Sequence, residues 1–318
     1  MYDDYNTSGT QCQAFRKTLD DLRLHKLYQS KLSEKLSAAY GVAKHWTHDK
    51  DARLRHCGDF VMVAQNGGII GANFCKNRYC PICQWRTSRA MFGHMCRIVS
   101  YLDSEFPDYR YLLLTVTLVN TERLSDGLNA VMQGFNNLTH DRTWRKVVKG
   151  FLRSLEVTYK ETARTWHPHI HCIVAVDDNY FKGDYLNHDT WRKLWERAAR
   201  VSYHANVDIR AVKGDKVKAI AEVAKYAVKP CSLSLDGMDA VNAYAELIAS
   251  TYNRRLRSYG GIIRKAIKAL DIAIDSDYVD EYDKAKGKAL YLVYDTEKGV
   301  YGEYEGAEQF KEFMYDKV

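Results

Sequence analysis

The chain has 318 residues, 46% hydrophobic and 27% charged, a balance that sustains a buried core and excludes a disordered or low-complexity protein. Its net charge of +7 and pI near 8.8 permit an anionic partner, and 23 tyrosines beside 47 Lys and Arg suit contact with single-stranded nucleic acid. No apolar run reaches the roughly 18 residues of a membrane span and no secretory signal opens the chain, so a cytoplasmic protein is expected, whose eight cysteines serve metal ligation or burial rather than disulfides.

In chain order, residues 13–40 carry Phe15, Leu19, Leu22, Leu32, Leu36 and Tyr40 at three- and four-residue steps, which predicts an amphipathic helix. Cys57 follows, with Gly58 behind it, then a short strand at 60–64. Next comes the run Cys75-Lys-Asn-Arg-Tyr-Cys80-Pro-Ile-Cys83. Two cysteines two residues apart, a third upstream and a fourth beyond it meet the tetrahedral needs of a structural zinc ion. Cys57, Cys75, Cys80 and Cys83 are therefore the expected Zn²⁺ ligands. Cys12, Cys96, Cys172 and Cys231 lack such company and are expected to be packed or free. Residues 84–102 predict a helix, with Trp85, Met91, Met95, Ile98 and Leu102 on one side. The stretch 109–119 is apolar on both faces and is placed at the centre of a sheet. A helix over 125–139 carries the stripe Leu128, Val131, Met132, Phe135 and Leu138.

Residues 151–160 read as a strand with Leu155, Val157 and Tyr159 on one face and Glu156 and Thr158 on the other. Then comes Trp166-His167-Pro168-His169-Ile170-His171-Cys172-Ile173-Val174-Ala175-Val176. As a strand it points His167, His169 and His171 to one face, and Ile170, Cys172, Val174 and Val176 to a buried one. Imidazoles so spaced suit a divalent metal, against the alternative of surface histidines on a Pro-broken edge strand. A hairpin of these two strands with an even offset brings Glu156 beside His169 or His171. The predicted ligands are His169 and His171, with Glu156 or His167 as the third.

A helix at 189–202 and a strand at 206–213 follow. Residues 218–229 predict a helix stopped by Pro230, with Glu222, Tyr226 and Lys229 on its polar face. A further helix over 239–258 places Arg254, Arg255 and Arg257 at its end, before Gly260-Gly261. The acidic, Tyr-rich last forty residues carry a hairpin about 295–299 and are expected to be peripheral. The domain division is a helical and four-cysteine module at 1–105, a main domain carrying the histidine strand at 106–275 and an extension at 276–318.

Taken in order, these motifs resemble those of plasmid-type rolling-circle replication initiators of the HUH endonuclease class, the single-tyrosine kind. Leu114-Thr115-Val116-Thr117 looks like the family's first motif and His169-Ile170-His171 like its metal motif. Tyr226 sits where the nucleophile sits, and Cys75 to Arg86 is similar to a cysteine segment common upstream. Glu222 holds the position of the extra tyrosine in two-tyrosine relatives. The similarity spans about residues 50–270; Pro168, between His167 and His169, departs from the usual hydrophobic spacer.

The resemblance implies an α+β fold with an HUH-endonuclease-like central antiparallel sheet flanked by helices and a zinc-ribbon-like N-terminal module. It implies a site-specific single-strand endonuclease and strand transferase that uses Mn²⁺ or Mg²⁺. Tyr226 would form a 5′-phosphotyrosine and Glu222 would activate water at termination. Lys229 or Lys225 would favour the phenolate or contact a phosphate, and Lys225, Arg254 and Arg255 are the expected DNA contacts. Single-stranded and duplex origin DNA are the implied partners, with host helicase and polymerase. Two rival readings are an HUH transposase or relaxase and a zinc-ribbon DNA-binding regulator without catalysis. Relaxases usually place the tyrosine before the histidine motif, whereas here it follows.

Overall fold

A computed structural model describes residues 9–44, 48–212, 236–272 and 289–304. In chain order its elements are α1 (Gly9–Val42), α2 (His48–Arg55), β1 (Phe60–Ala64), β2 (Ile69–Ala72) and α3 (Pro81–Glu105). There follow β3 (Arg110–Thr117), α4 (Leu124–His140), α5 (Arg142–Val147), β4 (Val148–Lys160), β5 (Thr165–Val176), α6 (Asn179–Lys182) and α7 (His188–Ala199). Last are β6 (Val207–Ala211), α8 (Gly237–Thr251), β7 (Arg257–Gly261), α9 (Ile262–Ala269), β8 (Ala289–Asp295) and β9 (Val300–Glu303). The chain is α+β, with antiparallel sheets flanked by helices. Among the described residues no helix is long and apolar enough to cross a membrane.

Two compact units are formed, one by the described parts of Met1–Arg86 and Asp280–Val318, the other by those of Thr87–Val279. The first holds a four-stranded antiparallel sheet in the order β2-β1-β8-β9. The expectation that the C-terminal residues are peripheral is thus corrected, because β8 pairs with β1 from Phe60↔Val293 to Ala64↔Ala289. Leu290, Leu292 and Tyr294 alternate into the core, the period-two pattern of a strand with one buried face. The β8–β9 turn forms where expected: Asp295 Oδ1 accepts the backbone N–H of Glu297 and Lys298, each at 3.0 Å, and Gly299 takes φ of 66°.

The second unit holds a five-stranded antiparallel sheet in the order β6-β3-β5-β4-β7. The strand expected at the centre, β3, is interior, but the middle position belongs to the histidine strand β5. One face carries α4, whose Phe135 packs edge-on against Trp144 and Phe151 at 5.8 and 5.6 Å, while Trp144 meets Trp191 of α7 at 5.9 Å. On the other face, Ile173, Ala175, Leu152 and Tyr111 are buried by Met91, Met95 and Ile98 of α3 and by Ile263, Ala266 and Ile267 of α9.

The predicted helix over 239–258 is shorter than expected. It ends at Thr251, Asn253 turns the chain with φ of 55°, and Arg257–Gly261 pairs with β4 as β7. Asparagine tolerates this left-handed conformation and stops a helix much as glycine does. Gly261 has no alternative: with φ of 61°, an added Cβ would lie 2.0 Å from the carbonyl oxygen of Lys149.

Candidate functional site

The cysteine cluster lies in the first unit. Cys57 follows α2, Cys75 follows β2, and Cys80 immediately precedes Pro81, the first residue of α3. Proline suits that first helical position because its missing N–H has no partner there anyway. Lys76, with φ of 56°, and an Asn77 side chain that accepts the Tyr79 N–H at 2.8 Å bend the intervening loop. Sulfur–sulfur distances are 3.6 Å for Cys57–Cys83, 3.6 Å for Cys75–Cys83 and 3.5 Å for Cys57–Cys80.

Zn–S bonds of about 2.3 Å set tetrahedral sulfur–sulfur edges of roughly 3.8 Å, whereas a disulfide needs about 2.05 Å. The four sulfurs, all within 4.8 Å of one another, therefore have the spacing of ligands around one metal ion. Burial pushes the thiols of Cys57, Cys75 and Cys83 up; at Cys80 burial acts the same way, but hydrogen bonds from the other three hold its thiol well below the usual range. Without a cation the cluster favours one thiolate, and a dication supplies the charge that stabilises the others.

Behind the cluster stands Lys26 of α1, which is 1% exposed. Its ammonium donates to the Cys57 carbonyl and to Gln29 Oε1, each at 3.0 Å, and lies 2.6 Å from Asp59 Oδ1. From the C-terminal hairpin, Tyr301 donates its hydroxyl to the Gly58 carbonyl at 2.7 Å. Neither contact was legible in the sequence, where these residues stand far from the cysteines.

The histidines lie in the second unit on β5. Alternation puts His167, His169 and His171 on the half-exposed face and buries Trp166, Ile170, Cys172 and Val174 on the other, as expected. Pro168 does not break the strand. Its carbonyl accepts from Thr117 Oγ1 at 2.9 Å on the β3 side, so its missing donor points past Thr117, the last β3 residue paired with β5.

The β4–β5 register is the one that brings the carboxylate in. Glu156 stands directly opposite His169, and its Oε2 lies 2.9 Å from His171 Nε2. Thr115 Oγ1 lies 3.1 Å from His171 Nδ1, and Thr117 Oγ1 lies 2.6 Å from His167 Nε2. Both ring nitrogens of His171 are thus engaged, Nε2 by Glu156 and Nδ1 by Thr115. The sequence placed Thr115 and Thr117 in a motif without a contact to the histidines, and gave no role to the buried Ser154, which faces His171 from β4. The signal was present in the parity of 114–117, which puts Thr115 and Thr117 on the histidine face once the strands pair.

Burial, then the neighbouring His167, pushes His169 down to about 4, and burial lowers His167 as well. Both rings are neutral at pH 7 and offer lone pairs. His169 Nδ1 is buried without a hydrogen-bond partner. An orphaned imidazole nitrogen beside a carboxylate and two more imidazoles fits a divalent cation. The set is more open than the cysteines, which are the group that closes to metal-binding distances among the described residues.

The predicted helix at 218–229, with Glu222, Lys225, Tyr226 and Lys229, lies outside the described residues, as does Cys231. Cys96 is half-buried and Cys172 buried, each as a free thiol. Arg254 and Arg255 fall in the loop between α8 and β7 rather than on a helix. Arg254 donates to Asn129 Oδ1 of α4 at 2.8 Å, and Arg255 is exposed.

The family model described as Replication protein matches residues 67–301. The chain belongs to this family. The matched segment contains three of the four cysteines, the histidine strand and the C-terminal hairpin as far as Tyr301. "Protein rep" of Streptococcus pneumoniae serotype 2 is 34% identical over 269 residues, covering 78% of this chain and 82% of that protein. "Protein rep" of Bacillus amyloliquefaciens is 31% identical over 249 residues, 70% of this chain and 74% of its own length. A "Protein rep" from a Bacillus species is 33% identical over 276 residues, 78% and 88% respectively. No solved structure matches. The resemblance to plasmid-type Rep initiators drawn from the motifs is borne out at the level of the family, and the chain is a replication protein.

Proposed function

We propose that this replication protein nicks one strand of a plasmid or viral origin through a covalent 5′-phosphotyrosine and so starts rolling-circle synthesis in the cytoplasm. The observation that carries the reading is the histidine face of β5, where His169 Nδ1 is buried without a partner and Glu156 is 2.9 Å from His171. His169 and His171, with Glu156 or His167, would hold Mn²⁺ or Mg²⁺, which when bound polarises the scissile phosphate. Thr115 and Thr117 hold the His171 and His167 rings from β3, through His171 Nδ1 and His167 Nε2 respectively.

Tyr226 Oη attacks phosphorus in line, forming the P–O bond to tyrosine as the bond to the 3′-oxygen breaks. The phenol proton leaves to solvent and the 3′-oxygen departs as a hydroxyl that primes host polymerase, behind a host helicase. A phenol of ordinary pKa about 10 needs a cation nearby, a role assigned to Lys229 or Lys225. At termination Glu222 takes a proton from water, so the second cleavage is hydrolytic and leaves no new tyrosyl bond. Lys225, Arg254 and Arg255 contact the DNA.

Incubating the protein with single-stranded origin DNA and Mn²⁺ tests this. A covalent adduct lost in Tyr226→Phe is the expected result. Absence of any adduct from the unaltered protein would leave a non-catalytic DNA-binding regulator instead.

A further inference from the structure

On the sheet face away from the histidines, the β4–β5 hairpin and α8 enclose a cleft of about 320 Å³. Trp166 forms its floor at 1% exposure and donates its indole N–H to Glu246 Oε2 at 2.9 Å. Glu246 Oε1 accepts the Leu124 N–H, the first of α4, at 2.7 Å, so this carboxylate is held rigidly from two sides. Tyr159, the cross-strand partner of Trp166, places its ring 4.5 Å from the indole. Asn242 and Ala243 of α8 also line the cleft, and an ion pair between Arg164 and Asp239, 3.1 Å apart, marks its exposed rim. Nothing in the nicking chemistry uses this place.

The lining decides what fits. Glu161, Asp239 and Glu246 line the cleft beside the single cation Arg164, which is paired with Asp239, so the lining offers hydrogen-bond acceptors and no seat for a phosphate. The volume lies at the small end of the roughly 300–1,000 Å³ range of ligand pockets. A tyrosine ring beside an indole offers a stacking wall, and each oxygen of Glu246 keeps a lone pair for one more donor. The Asn242 amide supplies a donor and an acceptor side by side, the pattern that reads a base edge, while carboxylates accept exocyclic amino groups.

We propose that this cleft takes an unstacked nucleobase bearing an exocyclic amino group, namely adenine, cytosine or guanine, from single-stranded DNA. Thymine, which presents only carbonyls, an imino N–H and a methyl, is disfavoured against the carboxylates. A cationic side chain of a protein partner also answers an acidic lining. Glu246 is already engaged by two N–H donors and Asp239 by Arg164, however, which leaves less free charge than the residue count implies. The inference rests on the reading of this protein as one that handles single-stranded DNA.

The test is anisotropy of labelled oligo-dA, oligo-dC and oligo-dT with full-length protein carrying Tyr226→Phe, which blocks cleavage. Adenine and cytosine oligonucleotides should bind about 5- to 150-fold more tightly than thymine, the range that one specific base contact gives. Tyr159→Leu, which keeps apolar packing on Trp166, and Asn242→Ala, an exposed helix position, should each erode that preference while leaving thymine binding unchanged. Asn242→Ala keeps the test valid if Tyr159→Leu fails to fold. Equal affinity for the three oligonucleotides, or a preference that survives both variants, overturns the proposal. So does an arginine-rich peptide that binds the protein and loses affinity in Asn242→Ala. Origin nicking by the unaltered protein is read in parallel: nicking without base preference overturns this inference alone, and base preference without nicking overturns the nuclease reading alone.

Discussion

The cysteine cluster and the histidine strand both gather metal-binding side chains, and they differ in how they are enclosed. Cys57, Cys80 and Cys83 are at most 1% exposed, Cys75 is half-buried, and the sulfurs sit at near-tetrahedral spacing. His167, His169 and His171 lie on a half-exposed strand face, and one of the carboxylate's oxygens is spent on His171 rather than drawn into a closed set. A closed site stabilises a fold; an open one leaves room for a substrate oxygen. The contrast teaches that enclosure separates the two groups: the cysteines have the geometry of a structural centre, whereas the histidine face stays open. The physical difference is whether the side chains come from a tight loop and helix start or from adjacent strands of one sheet.

Breaking the closed site should have the largest effect. Cys80→Ser should lose the roughly one zinc per chain expected of the native protein, and with it a folding contribution on the order of 10 kcal/mol to the first unit. Metal analysis and circular dichroism read both. Unchanged zinc content in that variant would sink the assignment. Opening the other site further should leave the fold intact. His169→Ala combined with His171→Ala should lower Mn²⁺-dependent nicking by at least about 10³-fold, the several kcal/mol that a Lewis acid supplies, with duplex origin binding largely retained. Nicking at the native rate in the double variant would reject these ligands.

A finer division lies between Tyr226 and Glu222. Tyr226→Phe should form no adduct, whereas Glu222→Ala should form it and then lose about 10²- to 10⁴-fold in hydrolytic release, giving plasmid products longer than one unit. If Glu222→Ala fails at the first nick as completely as Tyr226→Phe, Glu222 has a different role. The smallest effect expected is at the support of the cysteine loop. Lys26→Met strips the cation from a pair whose other member, Asp59, is 17% exposed and also bonded by His56 at 2.8 Å. We expect a loss of about 2–3 kcal/mol in denaturant unfolding, below the roughly 3–5 kcal/mol of a fully buried pair, with zinc retained. A variant as stable as the native protein would show that the contact contributes nothing to folding.

Much of this was legible residue by residue, and the reason is local. Cysteine spacing, the alternation of β5 and the stripe of α4 are set by neighbours in sequence, so periodicity exposes them. The hairpin of β4 and β5 was also legible, because the second strand begins only a few residues after the first ends, although its register was not. What escaped was whatever depends on remote partners or on a weak stop signal. The helix expected to reach residue 258 ends at Thr251 because Asn253 turns left-handed, a signal carried by one residue. The acidic C-terminal residues give no local hint that Leu290 and Leu292 complete the sheet begun at β1.

By itself, then, the sequence determined which four cysteines gather, the face of β5 that carries the histidines and the family to which the chain belongs, since each follows from residue type at short spacing. Only the tertiary structure decided that the histidine strand is the middle of its sheet, that Glu156 stands opposite His169, and that Lys26 and Tyr301 brace the cysteine loop from near the two ends of the chain. Those facts turn on strand order and register, which are set by how buried faces pair across long stretches of chain, a quantity no window of neighbouring residues contains.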